Sequence, residues 1–369
     1  FSFPDNIDYN FANPAPPLYS SDPNLLAEFL TGDFDGDGRG DIFFKTNNGG
    51  LRAIAFINKG STQQLATTIS DGFRFQTNFK YATLANGINL YTKGTSSSCP
   101  LIDYQGAFYV VSQSSLPNGI GGLNITTYQY EKAKVHILGK GFVGFDKTIA
   151  TNNTTAVRAI TRYNLNPVFF ERSPSVTESF LAFPSSPQIF EETYNISFDD
   201  LGNTRHFIKT NSIVSSDLIS GKITTENFTY DNNGNMTLSA TDINGIETTE
   251  VSSPLFVLAG SWLPNVPDEV TTTVTRAEDS GNPYIRKIKY TYNSAKGDIT
   301  QIIQDPGKPK RVVTDNIYHV NTGAIIQRQV SAPGSTTPLP VKIISFQYDN
   351  RFRFITKTTN ALGQNSFAT

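Results

Sequence analysis

The sequence is poor in the residues that usually mark an enzyme core or a disulfide-stapled domain. Its 369 residues include one cysteine, one methionine and one tryptophan. With Cys99 alone, no intrachain disulfide can form. That fits the cytosol, and equally a large bacterial secreted protein that avoids cysteine. Charged residues make up only 17% of the chain and the net charge is −2, with no basic run. A polybasic field able to neutralise phosphates is therefore missing, which argues against a nucleic-acid partner. No stretch approaches the roughly 18 consecutive apolar residues of a membrane-spanning helix. The first ten residues, FSFPDNIDYN, carry neither the basic nor the apolar region of an export leader and read as the interior of a longer chain. Helical periodicity is nearly missing too. Its one candidate, residues 24–30, is too short for pattern alone to decide.

Catalytic signatures are also scarce. His136, His206 and His319 lie far apart in strand-like runs with no nucleophile pattern beside them. There is no G-x-S-x-G elbow, no H-E-x-x-H helix, no phosphate loop and no cysteine–histidine signature. Acidic pairs such as Glu191-Glu192 and Asp199-Asp200 would form a glycosidase dyad only at a defined separation across a cleft. The second pair already has a turn explanation. The expectation is a chain with no catalytic residues and no organic cofactor.

What is abundant points to β-structure. Phe (27) and Tyr (16) are numerous beside much Gly, Asn, Ser and Thr, a mixture suited to half-buried pleated surfaces. Short runs of Ile, Val, Phe, Tyr and Thr, bounded by Gly, Asn, Asp and Pro, predict strands near residues 52–57, 107–111, 284–292 and 341–348. Along 284–292 one face carries Tyr284, Arg286, Ile288, Tyr290 and Tyr292, and the other Ile285, Lys287, Lys289 and Thr291. Such alternation turns one face to a core and the other to water.

The C-terminal half repeats. Aromatic-led turns begin at Phe198, Tyr230, Tyr292, Tyr318 and Tyr348, and the first four reach Gly202, Gly234, Gly297 and Gly323 four or five residues later. The fifth lacks that glycine. Gly245, Gly307 and Gly363 each lie fifteen residues after an anchor and Gly334 sixteen, so the unit is strand, turn, strand, second turn. A lone hairpin cannot bury its aromatic face, so successive hairpins are expected to share one sheet. The anchor rings are expected to stack on their counterparts, and Tyr230→Ala or Tyr292→Ala to cost about 3–5 kcal/mol.

The sharpest chemical motif is TGDFDGDGRGDIFF, residues 31–44. Asp33, Asp35, Asp37, Arg39 and Asp41 occupy positions 1, 3, 5, 7 and 9 of a loop. Four side-chain carboxylates and the Arg39 carbonyl offer the oxygen ligands that a hard divalent cation prefers, so Ca²⁺ is the expected cofactor. Position 12 is Phe44 and no helices flank the loop, which argues against an EF-hand. The same loop spells Arg39-Gly40-Asp41, but a ninth-position ligand points at the ion and not outward as an adhesive motif would.

The unit at Tyr230-Asp231…Gly234-Asn235, with its Asn244-Gly245 turn, resembles the YD repeat of Rhs proteins, toxin-complex B components and teneurins. LGKGFVGF at 138–145, following Tyr128-Gln-Tyr130, is similar to the segment that precedes the YD array in B-like proteins. The aspartate loop resembles the FG-GAP/VCBS repeat of β-propellers. The resemblance implies an all-β fold: repetitive hairpins forming a continuous spiralling sheet, part of a shell, preceded by a propeller-like calcium-loop region. It implies three regions: 1–70 with the calcium loop, 71–190 with the GKGFVGF segment, and 191–369 with the hairpin array. The implied role is a structural shell segment of a secreted or surface-exposed bacterial protein. Its partners would be the rest of a longer chain or an enclosed toxin or effector domain, with a delivery machine beyond. The rival expectation is an adhesin or carbohydrate-binding module. Tyrosines buried between hairpins favour the wall, and exposed tyrosines in a concave cluster favour the adhesin.

Overall fold

The computed structural model describes residues 28–35, 37–46, 52–58, 65–85, 89–181, 186–202, 205–253, 255–256, 266–279, 282–334 and 339–367. The first ten residues, read above as the interior of a longer chain, most of the helix candidate at 24–30 and Gly36 of the aspartate loop lie outside them. Among the described residues the only helical element is one 3-10 turn, Ala277–Asp279; everything else regular is β. The tail of the helix candidate belongs to a strand, Glu28–Gly32.

The chain divides into two compact units, residues 1–191 and 192–369. In the first, Glu28–Gly32, Asp41–Thr46 and Arg52–Phe56 form a three-stranded antiparallel meander. A small sheet joins Leu101–Asp103, Lys134–His136 and Gly141–Gly144. The largest sheet runs through Thr68–Ser70, Gln76–Thr83, Tyr109–Pro117, Leu123–Glu131, Lys147–Asn152, Val157–Leu165 and Arg172–Leu181, each antiparallel to the one before. Its core is Leu84, Leu90, Val110 and Ala133, with Tyr91, Tyr104, Tyr130 and Phe145 against it. The GKGFVGF segment supplies part of this packing. Phe142 stacks on Phe108 at 4.6 Å and Phe145 meets Tyr130 at 4.7 Å.

The second unit is a longer meander. Arg205–Asp217, Lys222–Tyr230, Met236–Ile243, Glu247–Ser252, Glu269–Arg276 and Tyr284–Tyr292 pair in sequence order. Ile299–Gln304, Val312–Tyr318, Ile325–Ser331, Lys342–Tyr348, Ile355–Thr359 and Asn365–Phe367 continue it. The strand predicted at 284–292 has those bounds. Its alternation holds over the second half: Ile288, Tyr290 and Tyr292 are half-buried while Lys289 and Thr291 are exposed, but Tyr284 and Arg286 are exposed as well. Among the described residues of this unit only Val266 and Asn316 are buried. Most side chains are half-covered, so the ladder and what reinforces it carry more of the stability than a deep core does.

Candidate functional site

In the aspartate loop the structure brings Asp33, Asp35 and Asp37 together, with one oxygen of each within 4.8 Å of the others. The loop turns inward on its own backbone. The amide of Asp37 donates to Asp33 Oδ1 at 3.0 Å and to Asp35 Oδ1 at 3.1 Å, and that of Gly38 to Asp33 Oδ2 at 3.0 Å. Tyr109, from another strand of the same unit, donates its hydroxyl to the Asp37 carbonyl. Gly38 is needed there for two reasons. Its φ is +84°, and a Cβ would lie 2.7 Å from the Tyr109 ring.

Asp41 stands apart from that trio. It is 1% exposed, and its two oxygens accept the amides of Phe34 and Asn58, each at 2.8 Å. Arg39 does more than offer a carbonyl, because its guanidinium pairs with Asp37 at 2.8 Å. Burial pushes the Asp37 carboxyl up, opposed by the Arg39 amide and charge.

The anchors of the second unit share one geometry. Hydroxyls of Tyr230, Tyr292, Tyr318 and Tyr348 donate to the carbonyls of Thr210, Pro267, Ile299 and Ile325 at 2.8–3.0 Å. The offset is constant. The ladder pairs Ser212 with Asn227, and two further steps set Thr210 opposite Thr229. Each hydroxyl thus reaches the carbonyl across from the residue just before the anchor; the ladders beside Tyr292, Tyr318 and Tyr348 give the same relation. On its other side, each of these tyrosines sits where the register with the next strand slips, after Thr229, Thr291, Ile317 and Gln347. Such a bulge kinks the strand into its turn.

The ring contacts differ from the expected stacking of anchor on anchor. Tyr230 meets Phe207 edge-on at 5.7 Å, and Tyr348 stacks on Phe352 of its own turn at 5.8 Å. The same hydroxyl bond also occurs in the first unit, from Tyr81 to Ala66 at 2.9 Å and from Tyr130 to Val111 at 2.8 Å. Sequence reasoning missed it. The available signal was that four of the five anchors are tyrosine and only Phe198 lacks a hydroxyl.

Comparison with known proteins follows the same lines. Residues 19–168, less than half of the chain, match the family described as insecticide toxin TcdB middle/N-terminal region. No curated protein sequence matches. The crystal structure of a TcdB2-TccC3-Cdc42 assembly is similar over 92% of this chain and 28% of its own, at 9% identity and a TM-score of 0.51. A Tc holotoxin pore of Photorhabdus luminescens carrying a mutated TccC3 is similar over 92% of this chain and 25% of its own, at 9% identity and a TM-score of 0.55. The chain therefore spans 25–28% of the length of those structures. It is toxin-complex-like, in sequence over residues 19–168 and in fold over nearly all its length.

Proposed function

We propose that this chain is a non-catalytic stretch of wall in the shell of a secreted, toxin-complex-type protein, built from YD/Rhs-type hairpins, that encloses or presents a toxin or effector domain. The observation that carries the reading is the recurrent tyrosine bond. Each anchored hairpin is fastened to the preceding strand by a side chain as well as by the ladder, always at the same offset. A sheet fastened this way can be extended hairpin by hairpin without a deep core. The anchors are half-buried and bound to backbone, which favours a wall over an adhesin that would display tyrosines. Partners are accordingly the rest of a longer chain or an enclosed toxin domain, with a delivery machine beyond it.

Ca²⁺ is the proposed ion of the aspartate loop, in an FG-GAP/VCBS-like role. The donors fit it in kind. Three carboxylates converge, and burial disfavours the charged form of Asp37, a cost that a divalent cation would remove. Asp33, Asp35 and Asp37 would hold it, with the Arg39 carbonyl. Asp41 would serve chiefly by fixing the loop to the Phe34 and Asn58 amides. The ion's role is structural.

Electron cryomicroscopy of the gene product that contains these residues tests the shell. A hollow particle whose wall includes both units is expected; an open array without a lumen would overturn the reading.

A further inference from the structure

We infer that the hollow between the first two anchor turns of the second unit binds an organic cation: an ammonium or guanidinium group on an apolar stem. The hollow measures about 710 Å³, within the roughly 300–1,000 Å³ of small-ligand sites, and its walls include Phe198, Phe207, Asp199, Asp200, Asp231 and Lys209. The lining carries three carboxylates and one ammonium, a net negative balance that favours positive charge.

How the site treats a cation is visible in the chain's own Lys209. Its ammonium pairs with Asp199 and lies 5.9 Å from the centre of the Phe207 ring. A carboxylate plus an aromatic face is the arrangement that holds a partly desolvated ammonium. Two carboxylates remain beyond that pair. Asp200 is exposed, and its Oδ1 accepts the Gly202 amide at 2.8 Å. The carboxyl of Asp231 is held below its usual range, because Asn235 donates to it from both side chain and backbone, and it also accepts the Asn233 amide. Among the described residues the only group of three carboxylates that converges closely enough for a metal is Asp33, Asp35 and Asp37; the carboxylates of this hollow lack that convergence, and the cation proposed for it is a larger one. Phe198 and Phe207 would cover the stem. The inference does not depend on the shell reading.

Two sources carry the same group, a free polyamine and a basic side chain of a protein segment. The 369-residue chain is titrated with spermidine, with N-acetyl-lysine methylamide and with its uncharged counterpart N-acetyl-norleucine methylamide, followed by saturation-transfer NMR and calorimetry. Saturable binding of at least one charged probe is expected, weakened by salt, with none of the norleucine compound. The stronger of the two charged probes identifies the source. Asp200→Asn, which keeps the acceptor for Gly202, should weaken binding by about threefold, the scale of an exposed charge pair. Lys209→Met removes the internal competitor and should tighten binding several-fold, a change that a merely structural lysine would not produce. Equal binding of the norleucine compound, binding of N-acetylglucosamine in place of either cation, or weaker binding by Lys209→Met of unchanged melting temperature would each overturn the inference.

Discussion

A tyrosine hydroxyl aimed at a backbone carbonyl does what phenylalanine cannot: it satisfies an acceptor at the end of a ladder while the ring covers the strands beside it. Replacing Tyr318 by Phe should therefore cost about 0.5–1.5 kcal/mol, the net worth of one such bond, and denaturant melts of the variant measure it. The ring contributes less than sequence alone suggests. Tyr230 is half-buried, so Tyr230→Ala should cost about 2 kcal/mol, below the roughly 3–5 of a fully buried aromatic. Ionisation gives a second test. Burial, which disfavours the phenolate, holds Tyr130 and Tyr292 up at about 12 against a usual value of 10.0. The unfolded chain then releases these protons first. Their contribution is complete below pH 10 and is lost as pH rises from 10 through about 12. Melting temperature should fall steeply across that window, and less so in the double variant Tyr130→Phe, Tyr292→Phe. An identical alkaline profile in wild type and variant would mean the two phenols do not titrate abnormally.

At the scale of the hairpin, turn chemistry accounts for what the repeat pattern shows and for where it fails. Gly202, Gly234, Gly297 and Gly323 all have φ between +71° and +85°, the left-handed region that their spacing implies. The fifth turn, without its glycine, puts Phe352 there at +54° and stacks it 4.3 Å from His319 and 5.8 Å from Tyr348. Aromatic contact thus offsets backbone strain, and no glycine pattern reveals it. Gly334, one residue late in the second-turn series, has another reason to be glycine: a Cβ would lie 2.2 Å from the Pro309 carbonyl oxygen, whereas Gly363, at φ +77°, has open space around it. Gly363→Ala should cost about 1–2 kcal/mol of left-handed strain, and Gly334→Ala clearly more, because backbone must move. Equal losses in paired urea melts would remove that distinction. Strand positions and both turns were legible in the sequence because period and φ preference are local properties. The anchor hydroxyl bonds of the second unit were not, because they join residues 19 to 25 apart across a register that no single strand encodes. For the same reason the aspartate spacing announced a loop, yet could not show Asp41 withdrawn to hold Phe34 and Asn58.

For the whole molecule, the two units should respond differently to metal, because the aspartate loop belongs to the first, residues 1–191. A ligand that binds only the folded state stabilises it by mass action, about 2.7 kcal/mol at a hundred times its dissociation constant. Chelation should lower the melting transition of the first unit and leave that of the second in place. The aspartates then separate by role. Asp33→Ala removes a converging carboxylate and should abolish the Ca²⁺ response; without metal it loses only the exposed bonds from the Asp37 and Gly38 amides and should cost less than Asp41→Ala. Asp41→Ala leaves the Phe34 and Asn58 amides without their buried acceptor, and should destabilise the first unit by about 1–3 kcal/mol with or without metal. Arg39→Gln releases Asp37 from its internal cation 2.8 Å away. Because that charge opposes a divalent ion in the same loop, Ca²⁺ affinity should rise by about threefold or more, as expected for removing one partly exposed like charge. Calorimetric titration of the three variants is decisive. If Asp33→Ala binds Ca²⁺ as the parent does and Arg39→Gln does not bind it more tightly, then the three carboxylates are held by backbone amides and Arg39 alone, and the loop is a protein-only turn.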